Sequence, residues 1–189
     1  MTTATTSVAA LYERCSAGFA ARVGEIAGRW SDRTPLPGWD VRDLVHHVVA
    51  EERWTPPLLA GATIAEVGSA LDGDLLGAGT TAAEAAAAAA LAAVTAQGAL
   101  ERIVHLSYGD AQAPEYVMQL AADHLVHTWD LARALGTDER LDPDAVDAVL
   151  AWFADAEPAY RAAGLIGPRA VPAADTPQHH LLARFGRTA

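Results

Sequence analysis

Apolar residues recur at helical spacing along most of the chain. Between residues 5 and 30, Val8, Leu11, Cys15, Phe19, Val23 and Ile26 lie three or four positions apart. That spacing is the mark of a helix burying one stripe, here weakened by Gly18, Gly24 and Gly28. Pro35, Pro37 and Gly38 in "SDRTPLPGWD" cannot continue a helix. Asp40 is placed to cap the next one, "VRDLVHHVVAEERW", which "TPP" at 55–57 is expected to end. Residues 58–79 read as a connector with room for one short helix, closing in "DGDLLGAG". The alanine-rich "TTAAEAAAAAALAAVTAQ" has very high helix propensity and opens on a capping-box pair, Thr81 and Glu84. "RIVHLSYGD" is short and β-like, either a strand-like excursion or part of a hairpin loop. A helix from about 114 to 135 follows, stopped by Gly136, and Pro143 suits the first turn of "DAVDAVLAWFADA". The tail from 158 is rich in Pro and Gly, with a last helical piece near "HHLLARF". These elements predict an all-α chain built on a four-helix bundle, with a short additional helical C-terminal segment. At 189 residues a single domain is expected, the bundle covering about 5–160 and the extension about 161–189.

Helical periodicity also sorts the polar residues by face. With Asp123 at zero and about 100° per residue, His127 falls near 40°, Leu120 near 60°, Leu131 near 80° and His124 near 100°. His127 therefore sits inside an apolar arc with Asp123 at its margin. On the earlier helix, with His47 at zero, Glu51 falls near 40°, Leu44 near 60° and Val48 near 100°. His46 points about 100° the other way, beside Arg42 and Arg53, toward solvent. Each helix thus brings one core-facing histidine with a carboxylate four residues away. Inward His and carboxylate side chains are how bundles build metal sites. Two imidazoles and a carboxylate suit a divalent ion such as Zn²⁺, Ni²⁺ or Fe²⁺ with positions left for water or substrate. The pattern fits equally well two buried histidines hydrogen-bonded to nearby acids.

Charge and composition narrow the partners. Hydrophobic residues make up 51% of the chain and the formal net charge is −11, which excludes general disorder and argues against nucleic acid or an anionic membrane surface. The single cysteine, Cys15, cannot form an internal disulfide, and no segment resembles a signal peptide or a bilayer-spanning helix. A soluble cytoplasmic protein is expected.

Three segments in order, "PGWDVRDLVHHVV", "DHLVHTWDLARALG" and "DTPQHHLLARFGR", resemble the actinobacterial branch of the DinB-like superfamily. That branch is named for the metal-binding domain of mycothiol-dependent maleylpyruvate isomerase. The resemblance implies a DinB-like four-helix bundle, often a homodimer, holding a divalent metal through three side chains. By position these are His47, Asp123 and His127, with His124 as the alternative to Asp123 and zinc the first choice of ion over nickel or iron. Asp123 stands where many relatives carry Glu or His. It also implies a low-molecular-weight thiol such as mycothiol as co-substrate, added to a small electrophile in a transferase or isomerase reaction. No second domain like that of the full isomerase is evident, so maleylpyruvate itself is not the expected substrate. The alternative is a non-catalytic bundle that binds a small ligand or a partner.

Further residues have two readings each. Glu51 is a candidate general base or partner of His47, or a salt-bridging acid. Arg133 and Arg187 could meet a substrate carboxylate, though solvated surface positions are commoner. Tyr108, Trp54 and Trp129 could line a pocket or fill the core. Cys15 reads as an apolar filler, and His105, His179 and His180 have no partner pattern.

Overall fold

In a computed structural model, which describes residues 7–77 and 79–188, four long helices close into a ring. These are α1 (Val8–Gly24), α2 (Val41–Leu59), α4 (Thr80–Val94) and α5 (Ala113–Leu135). α1 lies along α5 and α2 along α4, and the ring is completed by α1 against α4 and α2 against α5. A short α3 (Ile64–Val67) and a 3₁₀ turn fill the connector, and α6 (Pro143–Ala162) and α7 (Pro177–Arg184) pack beside the ring. β1 (Ile103–Leu106) and β2 (Gly109–Gln112) form an antiparallel hairpin leading into α5, which resolves the β-like stretch in favour of a hairpin. The all-α, DinB-like fold class expected from the sequence is the one observed.

The local signals explain most helix ends. Asp40 accepts from the backbone N–H of Asp43 while Asp43 accepts from that of Asp40, a reciprocal cap on α2. Gly136 ends α5 in the left-handed region, at φ 60°, where a side chain would be strained. Asp142 caps α6 through the N–H of Ala145 and also takes the guanidinium of Arg14, so that one carboxylate fastens α6 to α1.

Three expectations are corrected. α1 begins at Val8 and ends at Gly24, well short of residue 30, because the chain turns at Glu25 and only Ile26 beyond it is buried; residues 5 and 6 lie outside the described residues. Pro56 and Pro57 do not end α2, which continues to Leu59. A proline inside a helix costs about 3 kcal/mol. Here burial of Leu58 and Leu59, both 2% exposed, returns roughly 1.5–3 kcal/mol each. Thr81 and Glu84 form no capping box: α4 starts one residue earlier, at Thr80, with Gly79 as its cap at φ 73°, so Thr81 is already helical.

The buried apolar residues fall into two clusters. One, around Phe19, Leu44, Val48 and Leu131, fills one end of the bundle; the other, around Tyr12, Leu58, Leu125 and Phe153, fills the other end and reaches α6 and α7. A buried ion pair lies between them. His124 and Glu52 are almost wholly inaccessible, with His124 Nε2 donating to Glu52 Oε1 at 3.0 Å and Nδ1 donating to the Leu120 carbonyl at 2.8 Å. The His124 ring stands edge-on to Tyr12 of one cluster and Phe19 of the other. Removing one partner strands the other charge in the core, a loss of about 3–5 kcal/mol. Glu52→Ala and His124→Ala should each lower the urea midpoint accordingly. The double variant should be less destabilised than the two losses added together, as read from equilibrium unfolding.

Candidate metal centre

His47 lies on α2, between its buried Leu44 and Val48 positions, and Asp123 and His127 lie one turn apart on α5. Where the two helices meet, these three side chains come together. His47 Nε2 is 3.2 Å from Asp123 Oδ2 and His127 Nε2 is 3.3 Å from Asp123 Oδ1. One ligand atom from each lies within 4.8 Å of the other two. Bonds of 2.0–2.1 Å to a tetrahedral ion set its ligand atoms about 3.3 Å apart, a value that each His–Asp123 distance approaches, through a different oxygen of Asp123 in each case. His127 is buried, whereas His47 and Asp123 are part-exposed, as an open position requires.

The tautomer of His127 is set from behind. Its Nδ1 donates to Asp130 Oδ2 at 2.9 Å, which leaves the Nε2 lone pair for an ion, the arrangement common to metal-bound histidines. Asp130 is fully buried and is neutralised from the other side by Arg187. Arg187 donates from Nη2 to Oδ2 at 2.7 Å and from Nε to Oδ1 at 3.2 Å, while its Nη1 donates to the Phe185 carbonyl. Trp39 covers the group, its ring 5.3 Å from His47 and stacked at 6.3 Å on His127.

The charges respond as this geometry dictates. Burial favours a neutral His127, but the charge and hydrogen bond of Asp123, with Asp130 behind, outweigh it and push its pKa up to about 9. Asp123 is held well below the usual carboxylate range by His127 and His47, against the opposing effect of burial. Glu51, one turn after His47, is pushed above the usual range by burial and by the negative charge of Asp123.

The three residues expected as ligands are therefore brought together, and Glu51 opens onto the same cleft. His124 is corrected: both its ring nitrogens are engaged in the core by Leu120 and Glu52, so it cannot stand in for Asp123. Arg187 is not a solvated surface residue: it is largely buried against Asp130. Arg133 pairs with Glu139 at the surface and lies over Trp129, which is itself core. Tyr108 lines the cleft, Trp54 packs against the core, and the buried Cys15 thiol is raised to about 12 by desolvation. His105, His179 and His180 do have partners, Asp110, Thr176 and Asp175, all close in sequence. Asp130 escaped the sequence reading as a site residue, and Arg187 entered it only as a substrate contact or a surface arginine, not as the partner of Asp130. The i+3 spacing from His127 could have found Asp130, whereas nothing local points from Arg187 to it.

Helical ring and His/Asp cluster together define a bundle protein with a constellation of the metal-ligand type. The chain belongs to the mycothiol maleylpyruvate isomerase N-terminal domain family, which matches residues 12–132. That span holds most of α1, all of α2, α4 and the three clustered residues, and stops short of Arg187. Two uncharacterized proteins of Mycobacterium tuberculosis, from strains CDC 1551 / Oshkosh and ATCC 25618 / H37Rv, are each 30% identical over 185 residues, covering 94% of this chain and 96% of theirs. No solved structure gives a significant match. No helix among the described residues is long and apolar enough to cross a membrane.

The raised His127 value gives a signed pH dependence. In metal-free protein its contribution is complete below the unfolded imidazole value of about 6.5 and is lost as pH rises through about 9. The melting temperature of metal-free protein should therefore fall across that window. Loading zinc at pH 7 should release close to one proton, from His127 Nε2, read as a buffer-dependent enthalpy in calorimetry. Asp130→Asn keeps the shape but weakens the grip on Nδ1, and should cost about 10–100-fold in metal affinity.

Proposed function

We propose that this protein binds a divalent metal, with zinc favoured over nickel or iron, through His47, Asp123 and His127, and uses it in a thiol-dependent transferase or isomerase reaction on a small electrophile. The observation that carries the reading is the convergence of three ligand-type side chains, their ligand atoms within 4.8 Å of one another and one of them backed by Asp130, in the lining of a cleft of about 510 Å³. Family membership supports mycothiol or a similar thiol as the co-substrate. The metal, when bound, would favour thiolate over thiol at neutral pH.

The chain's own residues supply the rest. Glu51, with a carboxyl raised toward neutrality, accepts the thiol proton as the sulfur forms its bond to the electrophilic carbon. Rotation in the resulting anion and return of its electron pair to the multiple bond, with expulsion of the sulfur as thiolate that takes its proton back from Glu51, gives an isomer. Protonation of that pair by Glu51, which returns to carboxylate, gives an S-conjugate instead. Trp39 covers one side of the reacting atoms. A homodimer and a cytoplasmic setting remain part of this proposal.

Elemental analysis of protein purified without chelator should find close to one metal per chain. His47→Ala and His127→Ala should each reduce it to a small fraction with little change in the far-ultraviolet circular dichroism. Absence of stoichiometric metal from the unaltered protein, even after incubation with zinc, would favour the non-catalytic binding bundle instead.

A further inference from the structure

A guanidinium carries five N–H donors, and Arg187 spends only three of them on protein. Nε and Nη2 donate to the two oxygens of Asp130, at 3.2 and 2.7 Å, and Nη1 donates to the Phe185 carbonyl at 2.8 Å. One N–H on Nη1 and one on Nη2 are left over. The side chain is 14% exposed and lines the cleft, so the leftover pair faces the space a ligand enters. Among the described residues Arg187 is the only arginine lining that cleft, and the chain contains no lysine.

The rest of the wall is largely aromatic, and much of its polarity is already spent. Tyr108 Oη donates to Gln119 Oε1 at 2.6 Å, Trp152 Nε1 donates to Glu115, and Tyr116 Oη bonds Thr55 Oγ1. Tyr160 differs: its hydroxyl lines the same cleft with no hydrogen-bond partner among the described residues. Tyr160 and Phe185 both pack on Phe153, with ring centres 5.7 and 4.1 Å from it, which puts Tyr160 on the wall that carries Arg187.

Two N–H donors on one planar cation match the two oxygens of a carboxylate. Service to Asp130 is no obstacle, since Arg14 meets Asp142 and Asp144 together elsewhere in this chain. A phosphate would bring a second charge with no second cation, and an amide only one acceptor oxygen for two donors. Position matters as well. Nη2 of Arg187 and Nδ1 of His127 bond the same oxygen, Asp130 Oδ2, so the fork lies one carboxylate away from a candidate metal ligand. A molecule small enough for a cleft of about 510 Å³ can engage both.

We propose that the free edge of Arg187, with the Tyr160 hydroxyl on the same wall, is a carboxylate-binding subsite of the cleft. One of the two reactants then carries a carboxylate. This deepens the metal-thiol reading and rests on it for the second point of attachment. Both residues lie beyond the span that matches the family, so the subsite belongs to this chain's own C-terminal part.

Cobalt-loaded protein tells a carboxylate on the thiol from one on the electrophile, because a bound thiolate gives a charge-transfer absorption band. In the first arm, ω-mercapto acids of increasing chain length are each titrated against the matching amide. A carboxylate on the thiol should make the acid bind at least about tenfold more tightly at the best length. In the second arm the protein already holds 2-mercaptoethanol, and a carboxylate on the electrophile should let benzoate, but not benzamide, shift the band. Arg187→Lys keeps a charge beside Asp130 without the fork, and should reduce either preference to about twofold or less. Tyr160→Phe leaves Asp130 untouched and should shrink it about two- to threefold; if the lysine variant loses cobalt, this comparison decides alone. No preference in either arm, or one that survives Arg187→Lys, overturns the subsite and leaves the metal reading intact. Failure of the unaltered protein to take up cobalt overturns the metal reading instead. The subsite is then decided on metal-free protein, where benzoate must quench tryptophan fluorescence at lower concentration than benzamide, and Arg187→Lys must abolish the difference.

Discussion

The ion pair between Glu52 and His124 fixes the register of α2 against α5, and the candidate site follows from that register. Each partner is adjacent in sequence to a residue of the cleft, Glu51 on one helix and Asp123 on the other. Closing the pair in the core at 3.0 Å leaves their neighbours about 100° round each helix, in the cleft where His47 meets Asp123. An apolar seam could slide or rotate at modest cost, since leucine and valine contacts are interchangeable. A buried charge cannot, because any shift strands it away from its counter-charge in a medium that solvates it poorly. The pair also divides the core, with His124 touching an aromatic residue of each apolar cluster.

A second chain of charges runs from the C-terminal tail inward. Arg187 neutralises Asp130, Asp130 orients His127, and His127 faces Asp123. Alternating sign lets four ionisable groups share a partly dry space without a net charge to desolvate. It also makes the tail part of the site's support, although Arg187 lies more than fifty residues along the chain from the clustered residues and outside the span that matches the family.

Where the sequence was read wrongly, local rules met tertiary packing. Proline was expected to stop α2, but burial of Leu58 and Leu59 carried the helix through. Thr81 and Glu84 had the spacing of a capping box, yet a glycine at positive φ started α4 one residue early. His124 had the right residue type and a neighbouring position, and only the counter-charge on another helix revealed that it belongs to the core.

Helical periodicity by itself determined the all-α bundle, the inward faces of His47, Asp123 and His127, and the caps at Asp40 and Gly136, because these depend on residues within a turn or two of one another. Resemblance carried by three short segments supplied the family. The pairing of Glu52 with His124, the tail's grip on Asp130 and the aromatic enclosure of the cleft were decided only in three dimensions. Each joins residues tens of positions apart, and the sign and partner of a buried charge are set by whatever the fold places beside it, which no local pattern encodes.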